Sequence, residues 1–438
     1  MKLRHAIYAA LAAALLTAGP AFAQSDEPST IPNGPYGDND SIASLKSYDE
    51  LIGALEGIVH SSQGAATLHY APYPSNTGRG VPYVVVGSGL TAALIIAQQH
   101  GDEMETSDSA VNFVRTLSNN SPGSKAIRAS LTVVVVPRVN VDGFDGVNPD
   151  GTPIEASNGA MTPWRQNFDP RFVVGSLPAF YQRGRGYDIN RYHAFRPECP
   201  FDNPNFPNLT TGVTSCETVD YPSGLDVPYD FRLGNPVPEA KNIRWLNDQF
   251  NPVVVLDMHH QGTRVHDGNM VTASTLWPTA VATADRLEAV DPGARARFDA
   301  GVDMAKRVVV VIAKKLAQYP YADLSRYPGG TEPGISRNAY GLLGSGSVLL
   351  ELRGGIGTKS GGYIQKIGYH ASMAIVEALA ADRHLLGIDP AEAEVLVVPA
   401  NGVRPEPGNE EADPSIKIVD GVLVNPEPDD HDDQHLGN

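Results

Sequence analysis

The residues best suited to metal chemistry are His100 and Glu103, which are separated by two residues. They directly follow the apolar run Leu94–Ala97, which is typical of a buried strand. A strand that ends in a tight turn can present an imidazole and a carboxylate to one ion. Histidine and glutamate are common loop residues, so the motif alone is weak evidence for a metal site. The prediction therefore depends on polar residues farther along the chain.

Three later apolar runs are also followed by, or contain, a polar residue. Asn140 follows residues 131–136, His259 follows residues 252–256, and Glu351 lies within residues 348–353. The carboxyl ends of parallel strands share one edge of a sheet, and ligands bind at that edge. Two histidines and one glutamate are the protein ligands of many catalytic zinc ions, which keep a fourth position for water. These residues therefore predict a zinc site at the edge of a parallel sheet.

Six motifs in a fixed order resemble those of the zinc carboxypeptidase family typified by carboxypeptidase A. In chain order they are His-x-x-Glu (100–103), Asn-x-Asp-Gly (140–143), Trp-Arg (164–165), Asp-x-Asn-Arg (188–191), Asp-x-His (257–259) and Glu-Leu-Arg (351–353). The resemblance covers residues 47–381. It implies an α/β fold with a single domain, in which helices cover both faces of a mixed, mostly parallel central sheet of about eight strands.

The resemblance implies that His100, Glu103 and His259 hold one zinc ion per chain. His260 competes for the place of the third ligand, but strand alternation turns its side chain away from that of His259. Asp188 is expected to accept a hydrogen bond from one of the zinc-binding histidines, because such outer contacts orient metal ligands.

Glu351 is the predicted catalytic base. Its carboxylate is flanked by Leu350 and Leu352, and burying it costs free energy unless it is paired or used in catalysis. Facing the zinc-bound water, it would take a proton as that water attacks the carbonyl and pass the proton to the leaving nitrogen. Zinc would lower the pKa of the water and polarise the carbonyl. The alternative is an ion pair with Arg353, whose side chain diverges from the site.

The resemblance also implies residues that bind the substrate. Asn190 and Arg191 match the family's clamp for the terminal carboxylate, and the guanidinium fork suits that group. Arg165 matches the arginine that stabilises the oxyanion. Three arginines of the same loop compete for the second role: Arg171, Arg183 and Arg185.

A mobile tyrosine closes over the substrate in this family, and Tyr327 is its candidate here. Tyr340 is the rival, although it lies nearer the strand and is equally suited to packing. Residues between that tyrosine and Glu351 are expected to line the side-chain pocket. If Arg337 faces this pocket, an acidic terminal residue would be preferred.

The composition is that of an acidic globular protein. Hydrophobic residues make up 42 % of the 438 residues, which is enough for a sizeable core. The formal net charge of −17 argues against nucleic acid and anionic membrane surfaces as partners.

Residues 1–23 have the pattern of an export signal, with a basic start, an apolar stretch and Ala21-Phe22-Ala23 as the cleavage signature. The apolar stretch is too short for a permanent anchor, and no later run is long enough, so stable membrane insertion is not expected. The protein is predicted to be periplasmic or secreted. Cys199 and Cys216 are then expected to form a disulfide. A cysteine metal site is the alternative, but no second cysteine pair exists to complete it.

The predicted domain plan has four parts. They are the signal peptide (1–23), a flexible lead-in (24–44), the zinc carboxypeptidase catalytic domain (45–395) and an acidic, disordered tail (396–438). Apolar runs predict strands at 81–86, 93–97, 131–136, 252–256 and 348–353. Helical spacing predicts helices at 47–59, with Ser47 as N-cap, and at 107–117, 238–250, 303–318 and 368–381. Residues 144–236 are expected to form an irregular, substrate-facing surface, and residues 319–347 to be rich in turns.

The function implied by the resemblance is hydrolysis of the last peptide bond of peptides with a free terminal carboxylate. One alternative is a cell-wall peptidase that cuts peptidoglycan stem peptides with the same site. Another is an N-acyl amino acid deacylase, against which the Asn-Arg clamp and the Leu-Glu-Leu-Arg strand argue. A binding protein without activity is disfavoured because all the ligands and the base are present.

Overall fold

The computed structural model describes the greater part of the chain between residues 46 and 424. The described ranges are 46–145, 165–168, 186–193, 237–262, 264–266, 269–289, 291–319, 322–353, 361–403, 417–419 and 422–424. Several predictions fall on other residues: the signal peptide, the lead-in, the disulfide between Cys199 and Cys216, and the competing arginines Arg171, Arg183 and Arg185. They lie outside the described residues.

An eight-stranded mixed sheet forms the centre of the fold. Its strands are β1 (Ala66–Tyr70), β2 (Pro82–Val86), β3 (Thr91–Ala97), β4 (Leu131–Val136), β5 (Val254–Gln261), β8 (Ala273–Leu276), β9 (Leu324–Arg326) and β10 (Gly346–Arg353). The two strands between β5 and β8, β6 (Arg264–His266) and β7 (Asn269–Met270), belong to a second sheet. Their spatial order is β1-β2-β4-β3-β5-β10-β8-β9. Four neighbouring pairs are parallel and three are antiparallel. The predicted mixed, mostly parallel α/β sheet is therefore confirmed.

Helices cover both faces of this sheet. They are α1 (Tyr48–Ser61), α2 (Met104–Leu117), α3 (Pro122–Ser130), α4 (Val141–Asp145), α5 (Pro238–Phe250), α6 (Val281–Glu288), α7 (Ala294–Leu316), α8 (Ser336–Leu342), α9 (Gly361–Ala381) and α10 (Glu392–Leu396). Helices α1, α2, α7 and α9 pack on one face, and α5 and α8 pack on the other. None of the described helices is long and apolar enough to cross a membrane.

The continuous apolar runs of the central strands follow from this two-sided packing. In β3, Ile95 and Ala97 join the core on one face of the sheet, and Leu94 and Ile96 join the core on the other. A strand buried on both faces has no exposed positions for polar residues. This is why β4 coincides with the predicted strand 131–136.

Several elements differ from their prediction. β5 does not end before Asp257 but continues to Gln261, so His259 lies on the strand and not in the loop after it. The turn-rich segment 319–347 contains β9 and α8. The helix predicted at 303–318 begins at Ala294, and β1, β8, α3 and α6 were not predicted from sequence. The polar residues of β5 and the short length of β1, β8, β9, α3, α6 and α8 hide these elements from patterns based on periodicity.

The predicted N-cap of the first helix is confirmed. The Ser47 hydroxyl accepts a hydrogen bond from the backbone of Glu50, and the Glu50 carboxylate accepts one from the backbone of Ser47 at 2.9 Å. We expect Ser47→Ala to lower the free energy of unfolding by about 1 kcal/mol, measured by denaturant titration. Ser61→Ala is the control, because Ser61 bonds only to the carbonyl of Ile58 at the other end of α1. Equal losses in both variants would contradict the capping role.

The second sheet joins the C-terminal tail to the segment after β5. It has the order β12-β13-β11-β6-β7, with β11 at Gly402–Val403, β12 at Lys417–Val419 and β13 at Val422–Val424. β11 pairs antiparallel with β6, which begins three residues beyond the end of β5. The disorder predicted for residues 396–438 does not extend to these three strands, and for the rest of the tail it stays a prediction.

Candidate metal centre

His100 and Glu103 lie in the turn that leads from β3 into α2. Gln98 ends the strand with a positive φ of 52°, which redirects the chain into this turn. The Gln98 side chain donates to the carbonyl of Gly101 at 2.8 Å and accepts from the Arg138 guanidinium at 2.7 Å. The turn is thus tied on both sides, so that the His100 and Glu103 side chains are held in place.

His259 reaches the same place from the neighbouring strand β5. The Glu103 carboxylate lies 2.6 Å from Nδ1 of His100 and 2.9 Å from Nδ1 of His259. The two Nδ1 atoms are 3.1 Å apart, and all three side chains are buried. Two ligands of a tetrahedral zinc ion lie roughly 3.3 Å apart. The three residues therefore form a group that is able to hold one metal ion.

The far nitrogen of each imidazole faces a carboxylate. Nε2 of His100 lies 3.0 Å from Asp188, and Nε2 of His259 lies 2.9 Å from Asp257. A carboxylate accepts hydrogen bonds, so it holds the proton on Nε2 and leaves the lone pair of Nδ1 for a metal ion. The contact of Asp188 matches its prediction. Asp257 was missed, although strand alternation places it on the same side of β5 as His259.

The carboxylates of this site stay ionised although they are buried. Burial alone would raise the pKa of Glu103. In the protein without a metal ion, both imidazoles also carry a proton on Nδ1, and their attraction and hydrogen bonds outweigh burial and hold the pKa of Glu103 well below its usual range. The attraction of His100 and of nearby arginines likewise outweighs burial and lowers the pKa of Asp188. The attraction and hydrogen bond of His259 lower the pKa of Asp257 in the same way. The ionised Glu103 carboxylate is thus available as a negatively charged ligand for a metal ion.

Glu351 lies on the strand next to His259. β10 runs parallel to β5, and Glu351 is the register partner of His259. Register partners in parallel strands point to the same face of the sheet, whereas the neighbours of Glu351, Leu350 and Leu352, belong to the apolar core on the opposite face. The buried Glu351 carboxylate is therefore on the face that carries the metal ligands.

Arg165 contacts the metal group directly. Its guanidinium donates to Glu103 at 3.2 Å and lies 3.6 Å from Asp188. The amide of Asn140 holds this segment by donating to the carbonyls of Arg165 and Gln166 at 3.1 and 3.0 Å. Asn140, which sequence placed among the polar residues at the edge of the sheet, thus holds the segment that carries Arg165.

Asn190 and Arg191 lie on a short 3-10 helix, Ile189–Arg191, beside the metal group. Nδ2 of Asn190 is 3.4 Å from Nε2 of His259. The side-chain oxygen of Asn190 accepts a hydrogen bond from the backbone N–H of Ser336 at 2.9 Å. Arg191 donates to the backbone carbonyl of Asn190 at 3.1 Å, and its charge lowers the pKa of Asp188. The structure thus gathers the predicted clamp residues around His259 and Asp188.

The remaining predicted residues lie in packed positions. Tyr327 is on the Glu351 face of the sheet but is only 1 % exposed, packed against Leu276 and Leu349 with Arg264 over its ring. Tyr340 is fully buried in the core beside α5.

His260 points away from the metal group, and Arg337 is bonded to the segment before α8. Arg337 is buried and donates to the carbonyl of Gly330. His260 points to the other face of the sheet, where it lies 3.3 Å from Glu105 of α2, as alternation predicts. It therefore does not share in the group formed by His259.

Two histidines and a glutamate at the carboxyl edge of an α/β sheet, beside a buried glutamate, form a site with the ligand set of many catalytic zinc ions. Residues 75–267 match the family model for zinc carboxypeptidases. The match covers less than half of the chain. Over these residues it bears out the resemblance to the zinc carboxypeptidases, and the group of His100, Glu103 and His259 is able to hold the zinc ion expected from sequence. Glu351 and Tyr327 lie C-terminal to the matched residues.

One solved structure has the same fold, and two others are similar to the chain over comparable lengths. Carboxypeptidase A from Helicoverpa armigera is 15 % identical over 78 % of this chain and 74 % of its own, with a TM-score of 0.51. Bovine thrombin-activatable fibrinolysis inhibitor, in complex with tick carboxypeptidase inhibitor, is 14 % identical over 79 % of this chain and 99 % of its own, with a TM-score of 0.49. The metallo-carboxypeptidase from Burkholderia cenocepacia is 12 % identical over 77 % and 70 %, with a TM-score of 0.45. No curated protein sequence matches the chain significantly.

Proposed function

We propose that this protein is an exported zinc carboxypeptidase that removes the last residue of peptides with a free terminal carboxylate. The observation that carries the proposal is the group of His100, Glu103 and His259, with Glu351 in register beside it. Export is supported by the signal pattern of residues 1–23. Cell fractionation that found the protein only in the cytoplasm would contradict export.

Each residue of the site has a distinct role in this reaction. His100, Glu103 and His259 would hold zinc, which when bound polarises the scissile carbonyl and lowers the pKa of water. Glu351 accepts the proton of the attacking water and delivers it to the leaving nitrogen. The Arg165 guanidinium stabilises the negative charge that develops on the carbonyl oxygen.

Two further carboxylates serve the metal ligands. Asp188 and Asp257 keep the protons of His100 and His259 on Nε2, so that both Nδ1 atoms stay directed at the ion. Arg191 is a planar cation beside this group, and it would bind the terminal carboxylate of the substrate. This contact would make the enzyme an exopeptidase, because a peptide bond inside a chain offers no carboxylate there.

The clamp is tested with two peptides that differ only in having a free or an amidated carboxyl terminus. We expect release of the terminal residue from the free peptide only. Since a hydrogen bond to a charged group contributes about 1.5–3 kcal/mol, Arg191→Met is expected to lower kcat/KM for the free peptide roughly 10–150-fold. The release of amino acids is measured by mass spectrometry.

Arg244→Met is the matched control for this experiment. Arg244 is also buried, but it pairs with Asp248 on its own helix, α5. Equal cleavage of the amidated peptide, or equal losses in both variants, would contradict the clamp. If cell-wall muropeptides were cleaved and ordinary peptides were not, the enzyme would be the cell-wall peptidase instead.

A further inference from the structure

A buried chain of hydrogen bonds leads away from the metal group to residues that have no assigned role. It begins at Gln99, which immediately precedes His100. Nε2 of Gln99 lies 2.8 Å from Asp257, and its Oε1 lies 2.7 Å from Nε2 of His193. Nδ1 of His193 lies 2.7 Å from the Tyr340 hydroxyl. The chain thus runs from Tyr340 through His193 and Gln99 to the carboxylate that holds His259.

The Asp257 carboxylate at one end of this chain of hydrogen bonds determines which group donates and which accepts in every bond. The Asp257 carboxylate only accepts hydrogen bonds, so the amide nitrogen of Gln99 must face it. The amide oxygen of Gln99 then faces His193 and must receive the proton of Nε2. In a neutral imidazole this leaves Nδ1 as an acceptor, and the Tyr340 hydroxyl must donate to it. Each bond therefore fixes the orientation of the next group.

The surroundings are consistent with a neutral His193. Burial lowers the pKa of His193 to about 4, so the ring carries one proton at neutral pH. Gln99, His193, Asp257 and Tyr340 are all buried. A buried polar group without its partner costs free energy, so water cannot replace a lost bond of this chain at no cost.

A second set of hydrogen bonds ties the Asp257 carboxylate to the 3-10 helix that carries Asn190 and Arg191. The Ser336 hydroxyl donates to Asp257, and the Ser336 backbone donates to the side chain of Asn190. The backbone of His193 donates to the carbonyl of Gly334 at 3.0 Å, just before α8. The Asp257 carboxylate thus lies at the point where four elements meet: the turn after β3, strand β5, the 3-10 helix and the start of α8.

We propose that Gln99, His193 and Tyr340 are positioning residues of the metal centre. Their chain holds the Asp257 carboxylate where it accepts the proton of His259 Nε2, and it thereby keeps Nδ1 of His259 directed at Glu103 and His100. The inference rests on the proposed zinc site. Partners beyond the ligands commonly change metal affinity about 10–100-fold, because they set the orientation and basicity of the ligand.

A purely structural role would give a different result from a positioning role. Loss of packing or hydrogen bonding lowers the stability of the metal-free protein and leaves the affinity of the folded site for zinc unchanged. A positioning role lowers the zinc affinity of protein that is still folded. Zinc affinity, measured by competition with a chelator, is therefore compared with the melting temperature of the metal-free protein.

The variants are Gln99→Leu, which interrupts the chain, and Tyr340→Phe, which removes only its last donor. We expect Gln99→Leu to weaken zinc binding roughly 10–100-fold, and Tyr340→Phe to weaken it less. Tyr319→Phe is the matched control. Its hydroxyl also bonds a histidine, His370 at 3.0 Å, but on α9 and away from the site. The control should bind zinc as the wild type does.

The outcomes separate this inference from the proposed function. If the wild type binds zinc and both Gln99→Leu and Tyr340→Phe bind it equally well, the positioning role is wrong and the function stands. If the wild type binds no zinc, the function itself fails. Should Gln99→Leu not melt cooperatively, Tyr340→Phe decides, because the loss of one hydroxyl leaves the packing of the ring intact.

Discussion

Replacing Glu351 with glutamine is expected to lower kcat roughly 10²–10⁴-fold while the protein keeps its full complement of zinc. The amide has nearly the shape of the carboxylate but cannot accept a proton from the attacking water. Because Glu351 lies on β10 and does not belong to the group of His100, Glu103 and His259, metal binding should persist. The measurements are steady-state kinetics on a peptide with a free carboxyl terminus and metal analysis of the same sample.

Glu105→Gln is a demanding control for this variant. Glu105 is a second buried glutamate, but it lies on α2 and faces His260 on the opposite side of the sheet. Burial raises the pKa of Glu105 to about 8, so its carboxyl is largely protonated at neutral pH and glutamine resembles it closely. Its kcat should stay near that of the wild type. A Glu351→Gln enzyme with full activity and bound zinc would refute the proposed base.

Removing zinc with a chelator is expected to abolish hydrolysis and to lower the melting temperature. The ionised Glu103 carboxylate is buried within the group, and a bound ion would pair with its charge. A ligand present at 1,000 times its Kd stabilises the folded state by about 4 kcal/mol. The loss should therefore be visible by calorimetry, and added zinc should restore both activity and melting temperature.

Variants of two neighbouring histidines test which of them binds zinc. His259→Ala removes one member of the group and should bind zinc far more weakly, with no recovery of activity on addition of zinc. His260→Ala changes the adjacent residue, whose side chain contacts Glu105 on the other face, so it should still bind zinc stoichiometrically. If His260→Ala lost zinc and His259→Ala retained it, the assignment of the third ligand would be wrong. Full activity in the chelated protein would refute zinc catalysis altogether.

Much of this protein could be predicted from local patterns. The apolar run of β4, the capping box of α1 and the proline at the start of α5 are determined by residues close in sequence. The order of the six motifs indicated the resemblance to the zinc carboxypeptidases before any contact was known. Even the opposite directions of His259 and His260 follow from the alternation of side chains along one strand.

Other features depend on contacts that no local pattern reports. Tyr327 belongs to a packed cluster on the sheet, which its place in a turn-rich segment did not indicate. The partners of Gln99 are 94 and 158 residues away from it in the chain, at His193 and Asp257. Neither partner could be inferred, because hydrogen bonds between distant segments exist only once the strands and helices have packed.

The chain by itself therefore predicted which residues can bind zinc and which carboxylate can act as base, since these properties belong to side-chain chemistry and to spacing within single elements. Tertiary structure alone decided that Asp188 faces His100 and that Asp257 faces His259, and which buried groups contact Asp257. The reason is physical: pairing in the low-dielectric interior is set by the register of β3, β5 and β10 and by the docking of α8, which are long-range events.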